Sequence, residues 1–227
     1  YLRCLGMAAF LFLSIGFIWG LVFAPADYQQ GDAFRIIYVH VPAAFLSMSL
    51  YAVMAFCALL LIVWRIKLAG LMITICAKVG ASMALLALVT GSIWGKPMWG
   101  TWWVWDARLT SELILLLLYA AILATSAAFK HNDQSDKIVA ILTLVGVIDL
   151  PVIHYSVYWW NTLHQGATLS LVAKPTIALP MLYPLLLTLI GFSLYCLWII
   201  LHTAGNEVLM RERRQHWVKE LFLKEGI

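Results

Sequence analysis

The sequence predicts an all-α integral membrane protein with six transmembrane helices and both termini cytoplasmic. Three observations carry that prediction. Of 227 residues, 63% are hydrophobic and only 11% are charged, whereas a soluble domain carries about 25% charged residues. The apolar residues gather into six runs, each near the roughly 20 residues that a helix needs to cross a hydrocarbon core of about 30 Å. Lysine and arginine divide unequally between the two sets of connecting segments.

The runs fall at residues 4–23, 43–64, 69–93, 109–129, 138–153 and 181–203. The first ends in the "APA" of residues 24–26, which superficially resembles a signal-peptide cleavage site. The run is too long for a signal-peptide core and further runs follow it, so it is expected to be a retained span. The chain begins on Tyr1, and a trimmed N-terminus is expected. The fifth run is the weakest, being short and containing Asp149 and Pro151. One side of the predicted membrane collects Arg3, Arg65, Lys67, Lys130, Lys137, Arg211, Arg213, Arg214, Lys219 and Lys224. The other side holds Arg35, Lys96, Arg108 and Lys174, while Lys78 lies inside the third span. Ten cations against four orient the chain by the positive-inside rule. Residues 1–203 then form the membrane domain, and residues 204–227 a cytoplasmic tail. That tail, "EVLMRERRQHWVKELFLKEGI" from Glu207 on, places Val208, Leu209, Trp217, Leu221 and Phe222 among basic residues, a pattern suited to an amphipathic helix on the inner surface of the lipid bilayer or to docking a cytosolic partner.

This orientation puts "WGKPMWGTWWVWDAR", residues 94–108, on the outer face between spans three and four. An aromatic belt accounts for Trp19, Trp64 and Trp198, which stand singly near span ends. It does not account for Trp94, Trp99, Trp102, Trp103 and Trp105, five indoles within twelve positions. Each indole can bury 150–250 Å², so the cluster suits a platform for a large flat ligand. Gly95, Pro97 and Gly100 fit a turning loop. His40, in "IIYVHVPAAF", comes to the outer mouth of span two, with Pro42 in a helical first turn. His154 and His164, in "IHYSVYWWNTLHQG", follow span five on the same side. Neutral imidazole is an axial ligand of haem iron, and spacing does not choose between His154 and His164. Arg35, Lys96 and Arg108 could neutralise carboxylates of such a ligand, or could pair with Asp27, Asp32 and Asp106. Asp106 could orient Arg108 or cap span four; its charge argues against direct contact with a propionate.

Other chemistry finds little support. "GSIWGK", residues 91–96, is one residue short of a phosphate loop, and Pro97 stands where Ser or Thr is required. Cys4, Cys57, Cys76 and Cys196 form no CxxC or CxxCH and lie in apolar runs, so they read as small buried hydrophobes and no thioether attachment of haem is expected. Asp149 and Lys78 are isolated in-membrane charges, too far apart in the chain to form an ion relay. No signature points to nucleic acid.

At this point the motifs carry a resemblance. "WGKPMWGTWWVWDARLTSELILL" resembles the tryptophan-rich WD signature of haem-handling proteins in cytochrome c biogenesis. "FAPADYQQGDAFRIIYVHVPAA" and "LPVIHYSVYWWNTLHQG" narrow the likeness to the CcmC family of haem-delivery proteins, over essentially the whole chain. The resemblance implies a multi-pass protein of the bacterial inner membrane, with haem b held non-covalently at the periplasmic face. It implies His40 and His164 as the axial ligands, which decides against His154. It implies a haem bounded by the WD loop; Trp94, Trp99, Trp102, Trp103 and Trp105, with Asp106, are expected to line it, and Arg108 or Arg35 is expected to neutralise a propionate. It further implies delivery to the periplasmic chaperone CcmE and work alongside the single-span CcmD, the ATPase CcmA and the permease subunit CcmB. The chain itself offers no acid or base for chemistry, so a carrier is expected, not an enzyme. A b-type cytochrome moving electrons is the alternative; such proteins usually bury their paired histidines deeper in the bilayer.

Overall fold

A computed structural model describes residues 1–129, 133–160, 162–164, 177–213 and 215–218. Among them the architecture is helical, with no strand and a single isolated bridge between Asp27 and Gly31. The helices are α1 (Leu2–Ile18), α2 (Ile37–Trp64), α3 (Lys67–Trp99), α4 (Ala107–Ala128), α5 (Asp133–Gly146), α6 (Asp149–Trp159) and α7 (Leu179–Arg211). A π-helical turn, Trp19–Phe23, ends α1, and a 3-10 turn, Asp32–Ile36, leads into α2.

Six segments are long and apolar enough to cross a membrane: Leu2–Phe23, Asp32–Trp64, Lys67–Trp99, Ala107–Ala128, Ser135–Trp159 and Leu179–Arg211. The chain is a multi-pass membrane protein. Its lipid-compatible exterior is evident on α1, where only Ala9 and Gly16 are buried while Met7, Phe10, Leu11, Ile15 and Ile18 are exposed. The most extensive pairings are α2 with α3 and α1 with α7. The core between α2, α3 and α4 is built on Tyr51, Met54, Ile73, Leu115, Tyr119 and Ile122. Gly80 has no alternative there, because a Cβ would overlap the Tyr119 ring.

Several boundaries differ from the hydropathy runs. The fifth span is two helices, α5 and α6, separated by Val147 and Ile148. The Tyr51 hydroxyl presses against Gly146 at the break, and Asp149 opens α6. Helix α2 begins at Ile37, so Pro42 lies in its second turn and His40 within its first. At 1.5 Å per residue the 33 residues of α3 extend about 50 Å, well beyond a 30 Å hydrocarbon core. Its last two turns carry Trp94 and Trp99. The expected loop at 94–108 shortens to the stretch between Gly100 and Asp106. Gly95 and Pro97 are helical, and Gly100 alone turns the chain, as the left-handed C-cap of α3 at φ +76°. In the tail, α7 continues to Arg211. Leu221 and Phe222, like Lys130, His131 and Lys174, lie outside the described residues.

Candidate functional site

The end of the bundle reached by the last turns of α3 and the first turns of α2 and α4 brings the candidate residues together. His40 projects from the first turn of α2 against α3. Its Nδ1 lies 3.0 Å from the Ala87 carbonyl oxygen and 3.1 Å from the Thr90 hydroxyl. A carbonyl only accepts, so Nδ1 carries the ring proton. The Thr90 hydroxyl donates to Leu86 O at 2.6 Å and faces Ala87 O at 3.2 Å, which leaves its oxygen to receive the imidazole. The ring fits because residue 91 is glycine: a Cβ there would stand 3.0 Å from His40 Cε1.

His164 is held differently. Its Nδ1 donates to Asp106 Oδ2 at 2.9 Å, with side-chain exposures of 18% and 8% for the two residues. The other oxygen, Asp106 Oδ1, accepts the Leu109 N–H at 2.8 Å and so caps α4. One carboxylate thus starts a helix and orients an imidazole. Burial, reinforced by the Arg108 charge, lowers the His164 pKa below 6.5 although the Asp106 contact opposes it, so the ring is neutral at neutral pH. Both imidazoles consequently bear their proton on Nδ1. Among the described residues no hydrogen bond engages either Nε2.

The tryptophans divide by depth. Trp94 meets His40 edge to face at 5.6 Å, and Trp99 meets His164 in the same manner at 4.8 Å. Trp94 is fixed by its Nε1–H, which donates to Gln30 Oε1 at 2.9 Å, and packs against the Phe34, Tyr38 and Leu185 cluster. Trp99 lies over Gly95, where a Cβ would come within 2.9 Å of the indole. Trp103 packs edge-on to Trp105 at 5.4 Å, and its buried Nε1 has no partner among the described residues. Trp102 and Trp105 are 56% and 76% exposed.

The cations separate as well. Arg35 is committed: Nε donates to Asp32 at 2.9 Å and Nη1 to the Gly20 carbonyl at 2.9 Å, tying α2 to the end of α1. Asp27 is occupied by the backbone N–H groups of Gln29 and Gln30. Lys96 donates to the Gly100 carbonyl at 3.0 Å, closing α3. Arg108 is half-buried, with Glu112, Asp106 and Tyr158 as its charged or titratable neighbours. Among the described residues no hydrogen bond fixes its guanidinium. Glu112 is itself buried, accepting the Ser47 hydroxyl at 2.8 Å, and the Tyr119 hydroxyl donates to Ser47 O at 2.6 Å. His154 stays outside this group, exposed on α6 and edge-on to Tyr155.

Sequence reasoning collected the histidines and indoles but missed what holds them. Asp106 was expected to orient Arg108 or cap α4; it caps α4, and its second partner is His164. Ala87, Thr90 and Gln30 gave no signal, being ordinary residues brought in from other elements. Gly91 and Gly95, one helical turn apart on either side of Trp94, were the visible trace, since each is a place where a ring needs the space of a side chain.

Fold and site together define a multi-pass membrane protein that gathers, at one end of its bundle, two part-buried imidazoles beside a group of indoles. The chain belongs to the family described as CcmC, heme exporter protein C, whose model matches residues 1–219. It is 53% identical over 209 residues to the heme exporter protein C of Haemophilus influenzae, covering 92% of this chain and 85% of that one. It is 50% identical over 226 residues to that of Escherichia coli K12, covering 100% and 91%. It is 43% identical over 189 residues to a putative cytochrome c biosynthesis ccmC-like mitochondrial protein of Marchantia polymorpha, covering 79% and 80%.

Proposed function

We propose that this protein binds haem b non-covalently at the periplasmic end of its bundle and hands it to a periplasmic haem chaperone, CcmE, during cytochrome c maturation. The observation that carries this reading is the matched state of the two imidazoles. His40 and His164 each have Nδ1 engaged, which leaves Nε2 as the basic nitrogen. Paired imidazole nitrogens are a donor set that haem iron accepts, and a fixed second partner sets ring orientation and donor strength. His40 and His164 would supply the two nitrogens that hold the iron. Trp94 and Trp99 wall them in, and Trp102, Trp103 and Trp105 extend the apolar surface toward the acceptor.

Arg108 is the proposed propionate partner, because its guanidinium is not consumed by a hydrogen bond. Arg35 serves the α1–α2 junction instead, and Asp106 contributes through His164. The ten-to-four distribution of cations supports placing both termini in the cytoplasm and this end of the bundle in the periplasm of a bacterial inner membrane. The chain acts as a carrier and scaffold. ATP hydrolysis belongs to partners, the ATPase CcmA with the permease subunit CcmB, and CcmD completes the assembly.

The test is haem loading of purified His40→Ala and His164→Ala variants. Each loses about tenfold or more in haem affinity and leaves the six-coordinate low-spin spectrum. Wild-type haem content and spectra in both variants would remove the proposal.

A further inference from the structure

The two imidazoles are clamped by chemically different partners. His40 rests on a backbone carbonyl and a hydroxyl, both neutral. His164 rests on a carboxylate that is itself 8% exposed. We propose that Asp106 is a positioning residue: it keeps the His164 ring as the Nδ1–H tautomer, leaves Nε2 as the bare nitrogen, and makes His164 the stronger donor of the pair. The inference deepens the proposed function and rests on it for the word donor. The tautomer claim stands on the apo geometry alone.

Why a carboxylate and not an amide belongs here follows from the cap. Oδ1 is fixed by the Leu109 N–H, so the second atom on the Asp106 side chain must face His164. In Asp106→Asn the cap survives, since Asn and Asp cap equally well. The amide oxygen must keep the cap, because an NH₂ group cannot accept from Leu109. The NH₂ then faces Nδ1 and donates to it. Nδ1 must now accept, and the ring proton moves to Nε2. The substitution changes one atom type, preserves the helix start, and blocks the nitrogen offered to iron. Asp106→Ser is the companion: its hydroxyl also caps but is too short to reach the ring, which frees the tautomer without reversing it.

The experiment uses the full chain in nanodiscs with 15N-histidine labelling, the His164 signal being assigned by its loss in His164→Ala. Apo wild type is expected to show Nδ1–H and bare Nε2 at His164, and Asp106→Asn the reverse, with an unchanged helical circular-dichroism spectrum and an unchanged melting temperature. On haem titration Asp106→Asn is expected to bind about 10–100-fold more weakly, the range for loss of a ligand's outer-shell partner, and to give a five-coordinate high-spin spectrum. Asp106→Ser is expected to fall between the two and to raise the haem midpoint potential, because the carboxylate no longer pushes electron density toward the iron. An Nε2–H tautomer in apo wild type, or wild-type affinity and spectrum in Asp106→Asn, overturns the positioning role. The expected tautomers in apo protein, with haem binding indifferent to His164→Ala, would leave the positioning intact and remove the iron-ligand reading instead.

Discussion

Gly91→Ala separates stability from ligand binding by sign. Gly91 lies inside α3, where alanine is favoured over glycine by about 1 kcal/mol through helix propensity. On backbone grounds alone the variant should be the more stable protein. Yet the added Cβ stands 3.0 Å from His40 Cε1, and ordinary contact begins at 3.4 Å. The ring must therefore retreat from α3 by about 0.4 Å, close to the tolerance of roughly 0.5 Å within which a site stays competent. Retreat lengthens Nδ1 contacts that now measure 3.0 and 3.1 Å to about 3.4–3.5 Å, beyond the usual N–H···O range. A neutral hydrogen bond contributes about 1 kcal/mol net, equivalent to roughly fivefold in a dissociation constant. The expected variant melts at or above the wild-type temperature and binds haem about fivefold more weakly. Thermal unfolding in detergent and haem titration by difference absorbance measure the two quantities. Undiminished haem affinity in Gly91→Ala would refute the reasoning, since the only consequence of that Cβ at the site is on His40.

Other expectations follow from the same contacts. Trp94→Phe and Gln30→Ala should each weaken haem binding by about the 1 kcal/mol of a neutral hydrogen bond, and the double variant should be little worse than either single, because they share one bond of 2.9 Å; a double-mutant cycle with zero coupling contradicts this. Gly80→Ala should destabilise the bundle by about 1–3 kcal/mol, since Tyr119 must shift and strain its buried bond to Ser47 O; unfolding titrations in SDS read the loss. Trp102→Ala should leave stability within about 0.5 kcal/mol, as the residue is exposed, while lowering haem affinity; an effect confined to the melting temperature opposes its placement beside the ligand. For pH, the folded protein holds His164 below 6.5, so the unfolded chain takes up the proton first as pH falls through 6.5. The His164 contribution to stability is complete above that pH and declines below it, and haem affinity falls only once the lowered folded pKa is reached. His164→Ala should lose this pH dependence in both measurements.

How much of this was legible in the sequence depends on the kind of atom involved. The six spans were legible because bilayer thickness fixes run length, and even the defect in the fifth span showed, through Asp149 and Pro151. Helix ends were less so: the apolar run stops near residue 93 because Gly95, Lys96 and Pro97 interrupt it, yet backbone hydrogen bonding carries α3 to Trp99. A proline near a helix end removes one donor and does not by itself end the helix. The indole cluster was legible by density. The choice of His164 over His154 was not legible from spacing, and came from motif resemblance; in the fold it corresponds to contact with Trp99 and Asp106. The clamp on His40 was invisible, because its main partner is a backbone carbonyl, and every residue has one.

The frame of the site also explains where its precision comes from. Trp94 and Trp99 are five positions apart on a single helix, and each touches a different histidine. The same helix supplies the Ala87 carbonyl and Thr90 hydroxyl beneath His40. Helix α3 thus contacts both imidazoles. Only His164 comes from a connecting segment, and it is pinned by Asp106, which is in turn pinned by the first turn of α4. The candidate residues are thus fixed at helix ends, and among the five indoles Trp102 and Trp105 are the most exposed. Under the proposed haem delivery, an acceptor would meet the exposed indoles before the histidines.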